Sequence, residues 1–157
     1  MSNVVKQSRP RVKQASKKDC ILLAKHLREA DLQEINHGTG LDPEVSLLYA
    51  FALSDSCYSA WINNQIILMY GCGGHRGVFG SPWMLASDLL TNFKREFVVQ
   101  CRGITEKMLD NYGYLENYVW AGNTKHIHWL KWLGFTICEP TPHGIDGEPF
   151  HKFYMKR

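Results

Sequence analysis

The chain has 157 residues, of which 45% are hydrophobic and 21% charged, and its formal net charge is +3. That length suits one domain with a packed core and is too short for two ordinary ones. No run of about 18 apolar residues offers a membrane-spanning helix.

The charge is uneven. Lys6, Arg9, Arg11, Lys13, Lys17 and Lys18 all precede the first acid, Asp19, and beyond them 12 basic residues stand against 15 acidic ones. Residues 1–10 are expected to form a basic, flexible leader without an apolar signal core, and residues 11–157 a single domain. Arg9 and Arg11 are candidate contacts for nucleic acid or an acidic protein. A solvated tail is the alternative, because no aromatic residue is interleaved for base stacking. The five cysteines are odd in number and none are spaced Cys-x-x-Cys, which argues against a disulfide framework or a zinc ribbon and for free thiols.

In chain order, Arg11 to Gln14 reads as a first strand. Ser16-Lys-Lys-Asp19 resembles a capping box, and Cys20, Leu23, Ala24 and Leu27 continue a helical stripe to about Ile35. Asp42-Pro43 opens a second helix, acid as cap and proline in the first turn, with Val45, Leu48 and Ala52 on one face and Leu47 and Phe51 beside them. Cys57–Ile62 and Gln65–Tyr70 pair across Asn63-Asn64, a tight-turn signal. A glycine-rich connection, Gly71 to Gly80, carries His75 and Arg76 at its tip as candidate contacts for an anionic partner, or as a plain solvated turn. It lacks the Lys-Ser/Thr of a P-loop. Pro82–Ser87 reads as a strand, followed by a long helix capped by Asp88. Gly103 is a kink signal within it, and Asn111-Tyr-Gly113 closes it.

Tyr118–Ala121 is β-prone, Gly122 breaks it, and Asn123 or Thr124 can cap the next helix. His126, Ile127, Trp129, Leu130 and Leu133 form one buried face of that helix, with the His126 ring bonded to a carbonyl. Gly134 stops the helix through a positive φ. His126 and His128, two apart, point to different sides and cannot share an ion, so no metal site is expected. Phe135–Glu139 and Phe150–Met155 make a final hairpin with a long tip. The order β, α, α, β, β, β, α, β, α, β, β implies a mixed sheet flanked by about four helices, an α+β or mixed α/β class.

Asn123-x-x-x-Ile127 with Leu133-Gly134-Phe135 resembles the last block of the GNAT superfamily of N-acetyltransferases. Tyr118-Val-Trp-Ala-Gly-Asn-Thr-Lys-His-Ile with Leu130-Lys131 resembles, more closely, the internal virion protein A family of short-tailed, T7-like bacteriophages, a GNAT-like group. That close match covers about a fifth of the chain; the order of elements extends it loosely over most of the rest. The resemblance implies a GNAT-like fold, a phage protein in the virion or the infected cell's cytoplasm, and virion proteins as partners.

It also implies where acetyl-CoA would sit in an active relative. The pyrophosphate turn falls on Ser87-Asp-Leu-Leu-Thr-Asn-Phe93, where glycines would let backbone N–H groups approach phosphate. Here there is no glycine, Asp88 repels an anion, and Lys94 and Arg95 lie about two turns further on. Asn123 is the remaining cofactor-linked position. The tyrosine expected seven residues after Asn123 is Leu130, and an alanine position is His126. No cofactor and no catalytic residue are therefore expected, and the resemblance reads as a non-catalytic scaffold that binds other virion proteins. The alternatives are an N-acetyltransferase using acetyl-CoA on a protein or small amine, and nucleic-acid binding through the leader. Trp129, Lys131 and Trp132 are candidate partner contacts, because exposed aromatics beside basic side chains suit protein interfaces.

Overall fold

The computed structural model of the chain describes residues 9–157. Most of the expected leader lies outside the described residues. Seven strands form one sheet in the order β1-β2-β3-β4-β5-β7-β6. β1 (Arg11–Gln14), β2 (Ser56–Ile62), β3 (Gln65–His75) and β4 (Phe79–Ala86) make an antiparallel set. β5 (Tyr114–Trp120), β7 (Pro149–Lys156) and β6 (Thr136–Pro142) make a second antiparallel set. The two sets meet where β4 and β5 run parallel, with a single registered pair, Gly80 and Leu115. This mixed α/β architecture is the one expected.

The β2–β3 turn follows its sequence signal. Asn63 and Asn64 both take positive φ, 47° and 64°, which asparagine tolerates and the right-handed twist of a hairpin favours. β3 carries the continuous apolar run Ile66–Met69, buried on both faces as suits a central strand. On one face Ile66 and Met69 pack with Cys20, Leu23 and Leu47. On the other Ile67 and Leu68 pack with Ala86, Leu90 and Phe97. A third group centred on Leu115, Val119, Leu130 and Phe153 joins β5 and β7 to the helices on that second face.

Several elements differ from expectation. The first helix splits into α1 (Lys17–Ala24) and α2 (Glu29–Gly38), giving five α-helices among the described residues. The break occurs because the chain between them pairs with the end of β4. Leu27 bridges Ser87, and the Arg28 N–H donates to the Ala86 carbonyl at 2.9 Å. In α3 (Pro43–Leu53) the Asp42 carboxylate does accept the Glu44 N–H at 2.9 Å. Its inner face is rotated, however: Leu47 is fully buried while Val45 is 48% exposed.

The glycine-rich connection is mostly strand. β3 and β4 stay paired up to His75 and Phe79, and the turn is confined to Arg76–Val78. The glycines are there for close approach. A Cβ on Gly73 would strike the Leu53 carbonyl, and one on Gly80 would lie 2.6 Å from the Tyr112 ring.

The long helix begins later than expected. Asp88–Phe93 is a 3₁₀ turn, and α4 (Lys94–Tyr112) follows. Asp88 lies inside that 3₁₀ turn, whose N-cap is Ser87, and does not cap α4, whose N-cap is Phe93. α5 (Thr124–Leu133) stops at Gly134 with φ 100°, and α4 at Gly113 with φ 78°. The last hairpin's tip is shorter than expected, residues 143–148, and His37 on α2 ties it down through its Nδ1 contact to the Asp146 carboxylate at 2.6 Å.

Candidate functional site at the parting of β4 and β5

Beyond Gly80 and Leu115 the two parallel strands diverge. The Asn117 side-chain amide still reaches across to the Pro82 carbonyl at 2.9 Å. Past that point the strands' own backbone groups need other partners, because an unpaired buried N–H is costly. Two carboxylates of α2 supply them. Asp31 accepts the Ala86 N–H at 2.9 Å, and Glu34 accepts the Trp120 N–H at 2.8 Å. Three residues apart, they lie on one face of the helix, and each serves one of the separating strands.

Asp31 is fully buried. Arg28 binds it in bidentate fashion at 3.0 and 3.1 Å, and the Asn123 amide donates to it at 3.4 Å. Glu34 has no such cation. Burial, partly offset by the Trp120 N–H and reinforced by the nearby charge of Asp31, raises its pKa from 4.5 to about 7. Burial also pushes the His126 ring down to about 4, against the pull of Asp31. The His126 Nδ1 is buried without a hydrogen-bond partner, so the expected bond to a carbonyl does not form.

A cavity of about 190 Å³ passes through the parting. Met84, Phe97, Cys101 and Trp129 are among its apolar lining, and Glu34 and His126 also line it. It is continuous in lining with a groove of about 640 Å³ between the start of α4 and the start of α5, which shares Met84, His126 and Trp129.

The residues singled out in the sequence separate into groups. Asp88, Lys94, Asn123, Trp129 and Trp132 all line the α4–α5 groove. Asn123 sits at the N-cap of α5 but makes no cap bond; its amide is turned to Asp31. Ser87 is buried, and its hydroxyl donates to the Ile66 and Ile67 carbonyls at 2.9 and 3.0 Å. Arg95 and Lys131 are exposed and do not line the groove. His75 and Arg76 lie at the far tip of the β3–β4 hairpin, where the Gly77 N–H meets the Asn111 carbonyl at the other end of α4. Arg9 and Arg11 lie at the β1 edge, in a shallow hollow with Trp61 and Lys13.

Glu34, Asp31 and Arg28 carry the site yet give no local signal, because apart from the Arg28–Asp31 pair their partners, Ala86, Trp120 and Asn123, are distant in sequence. His37, Asp146 and Glu148 place ligand-type atoms within 4.8 Å of one another, on the loop that His37 holds.

The groove does not fit a pyrophosphate. The Ser87–Asp88 turn has no glycine, the buried Ser87 hydroxyl is already spent on the Ile66 and Ile67 carbonyls, and the exposed Asp88 carboxylate lines the groove. Leu130, in the position where the resemblance implies a tyrosine, is buried in the core and has no proton to give.

Comparison with known proteins gives two kinds of likeness. In structure, the chain superposes on yncA of Salmonella typhimurium, solved with its cofactor acetyl-CoA, with a TM-score of 0.66 and 13% identity, over 94% of this chain and 93% of that one. It superposes on the aminoglycoside acetyltransferase AAC(6')-Ib bound to coenzyme A with a TM-score of 0.65 and 14% identity, over 95% of each chain. In sequence, residues 62–139 match the family described as "Bacteriophage T7, probable scaffold protein Gp13". The "Probable scaffold protein gp13" of Escherichia phage T7 is 43% identical over 61 residues, a match that spans 36% of this chain and 44% of that protein. The chain thus has the GNAT fold of these acetyltransferases, and over residues 62–139 its sequence is similar to the scaffold-protein family of phage T7.

Proposed function

We propose that the protein is a virion-assembly component of a T7-like phage, related to the internal virion protein A group, which uses its GNAT fold to bind other virion proteins and not to transfer acetyl groups. It acts in the infected cell or in the particle. The observation that carries this reading is the Ser87–Asp88 turn, which has no glycine and puts an exposed carboxylate at the position the resemblance implies for a pyrophosphate turn. The similarity to the phage family supports it, since residues 62–139 contain β3 to α5 and so most of the groove's lining, apart from Arg28, Glu29 and Ala30 at the start of α2.

A second reading, N-acetylation, is favoured by one observation. The strands do part, and Glu34 stands at the parting with a pKa near 7, the range suited to a general base.

Titration calorimetry with acetyl-CoA tests the choice, using the wild type and Asp88→Gly. Ser87 is left in place because its hydroxyl holds two buried carbonyls. The expected result is no binding heat from the wild type; micromolar binding overturns the proposal. In parallel, Glu34→Gln is expected to complement a phage lacking this gene with a normal yield of infectious particles. A folded Glu34→Gln protein that fails to complement would favour the catalytic reading.

A further inference from the structure

α3 is apolar on every side: within Pro43–Leu53 the one charged residue is Glu44. A helix of that composition is expected to be covered all round. Its inner side is covered. Leu47 is fully buried, and Leu48 and Phe51 pack with Cys20, Leu23 and Met69. Its outer side is bare. Val45, Tyr49 and Leu53 recur at every fourth residue and so stand in one row, about 12 Å long, and they are 48%, 63% and 63% exposed. Leu41, four residues before Val45, is exposed as well and extends the row. Ile145, 68% exposed, reaches the same end, because a Cβ on the adjacent Gly40 would strike its side chain. Single exposed leucines are ordinary, whereas apolar side chains gathered in a patch mark a surface that is covered in use.

The ends of this row are acidic. Asp42 and Glu44 lie at its start, Asp146 and Glu148 come just after Ile145 in the chain, and Asp55 lies past its end. From Glu29 to His75 the chain has six acids and neither lysine nor arginine. α1 meets α3 where the Cys20 thiol faces the Leu47 carbonyl at 3.8 Å, and it carries Lys17 and Lys18. Among the described residues, however, no cation pairs with Asp42, Glu44 or Asp55. Asp146 is the acid that has a partner, His37.

We propose that this face docks an amphipathic, basic helix of a partner protein, its aliphatic side chains laid against Val45, Tyr49 and Leu53 and its lysines or arginines toward Asp42, Glu44 and Asp55. A row at four-residue spacing is the ridge that fits the groove between the corresponding rows of a second helix. The acidic ends select a basic flank, since opposite charge fixes register and like charge is rejected. A second copy of the face would set acids against acids. The proposal rests on the assembly reading for the partner's origin, while the surface itself stands on exposure and charge.

The probe is a fluorescein-labelled helical peptide with leucines at three-and-four spacing and lysines on its other positions, followed by fluorescence anisotropy. The same peptide with glutamate for lysine is the comparison. The lysine peptide is expected to bind and the glutamate peptide to bind more weakly. The double variant Tyr49→Ser, Leu53→Ser should weaken the lysine peptide roughly tenfold or more. Val99→Ser, which removes a 74% exposed side chain from α4, should leave it unchanged. Each substituted residue is exposed, so circular dichroism suffices to check folding. No binding of the lysine peptide, equal binding of the two peptides, or unchanged binding by the double variant overturns the proposal. Self-association of the wild type that the double variant abolishes would give the face to a second copy and also overturns it. Tighter peptide binding by the full-chain variant Val4→Ser, Val5→Ser would give the face to the chain's own leader, with the same consequence. A second arm uses overlapping peptides from the phage's other virion proteins. If the lysine peptide binds through the face and none of these does, the surface stands and the assembly reading fails.

Discussion

Glu34 and His126 face the same cavity and respond to pH in opposite directions. An acid held above its unfolded value keeps its proton in the native chain where the unfolded chain has lost it. Glu34 therefore removes stability as pH rises from about 4.5 to about 7, and the loss is complete above that. At about 1.4 kcal/mol per pKa unit, the full effect is roughly 3 kcal/mol. His126 is held below its unfolded value, so the unfolded chain takes the proton first and stability rises with pH from about 4 to about 6.5. The two slopes oppose each other through the overlap. Glu34→Gln is thus expected to melt higher than the wild type at about pH 8, and to reveal the rising limb of His126 below neutrality. Identical melting profiles for the two proteins would contradict this account.

Asp31 is a different case, a fully buried carboxylate paired with the half-buried Arg28. Asp31→Ala leaves Arg28 and the Ala86 N–H without partners and should cost about 3–5 kcal/mol, read as a fall in the urea midpoint. A loss below about 1 kcal/mol would show that water replaces the carboxylate. Little of this was legible in the sequence. Gly134 and Leu130 could be placed because helix periodicity and stop signals are local. The bond from Trp120 to Glu34 spans 86 residues, and nothing near Glu34 marks it among the other acids.

At the scale of elements, local signals located most helices and strands and missed what tertiary contact decided. Asp42-Pro43 and Asn63-Asn64 work through their own backbone, and both are where the sequence put them. The apolar stripe from Cys20 onward continues past Leu27 without a break, yet the helix breaks there to let Leu27 and Arg28 pair with β4. Glycines 71 to 80 read as a loop because loops favour glycine, whereas these serve packing. Gly73 has no room for a methyl group against the α3 backbone at Leu53, and backbone cannot yield as a flexible side chain does. Gly73→Ala should cost about 2–4 kcal/mol in chemical denaturation. By contrast Gly103, inside α4, has open space around its Cβ position, and Gly103→Ala should stabilise by roughly 1 kcal/mol through helix propensity alone. Equal effects of the two substitutions would remove the packing explanation for the run.

Across the whole molecule the sheet is two antiparallel sets joined at one registered pair. The overall class was readable from the order of elements, but the parting was not, since it depends on which backbone groups two distant acids occupy. Hydrogen exchange should therefore resolve two groups of opening free energies, one for β1–β4 and one for β5, β7 and β6, divided at Gly80 and Leu115. A single common opening energy would mean that the helices weld the sets together.

α4 touches both β4 and β5, and α5 lies against α4 and β6. Anything lodged between those two helices presses on both sides of the seam. With one registered pair across the seam, a body held there would splint the two sets to each other.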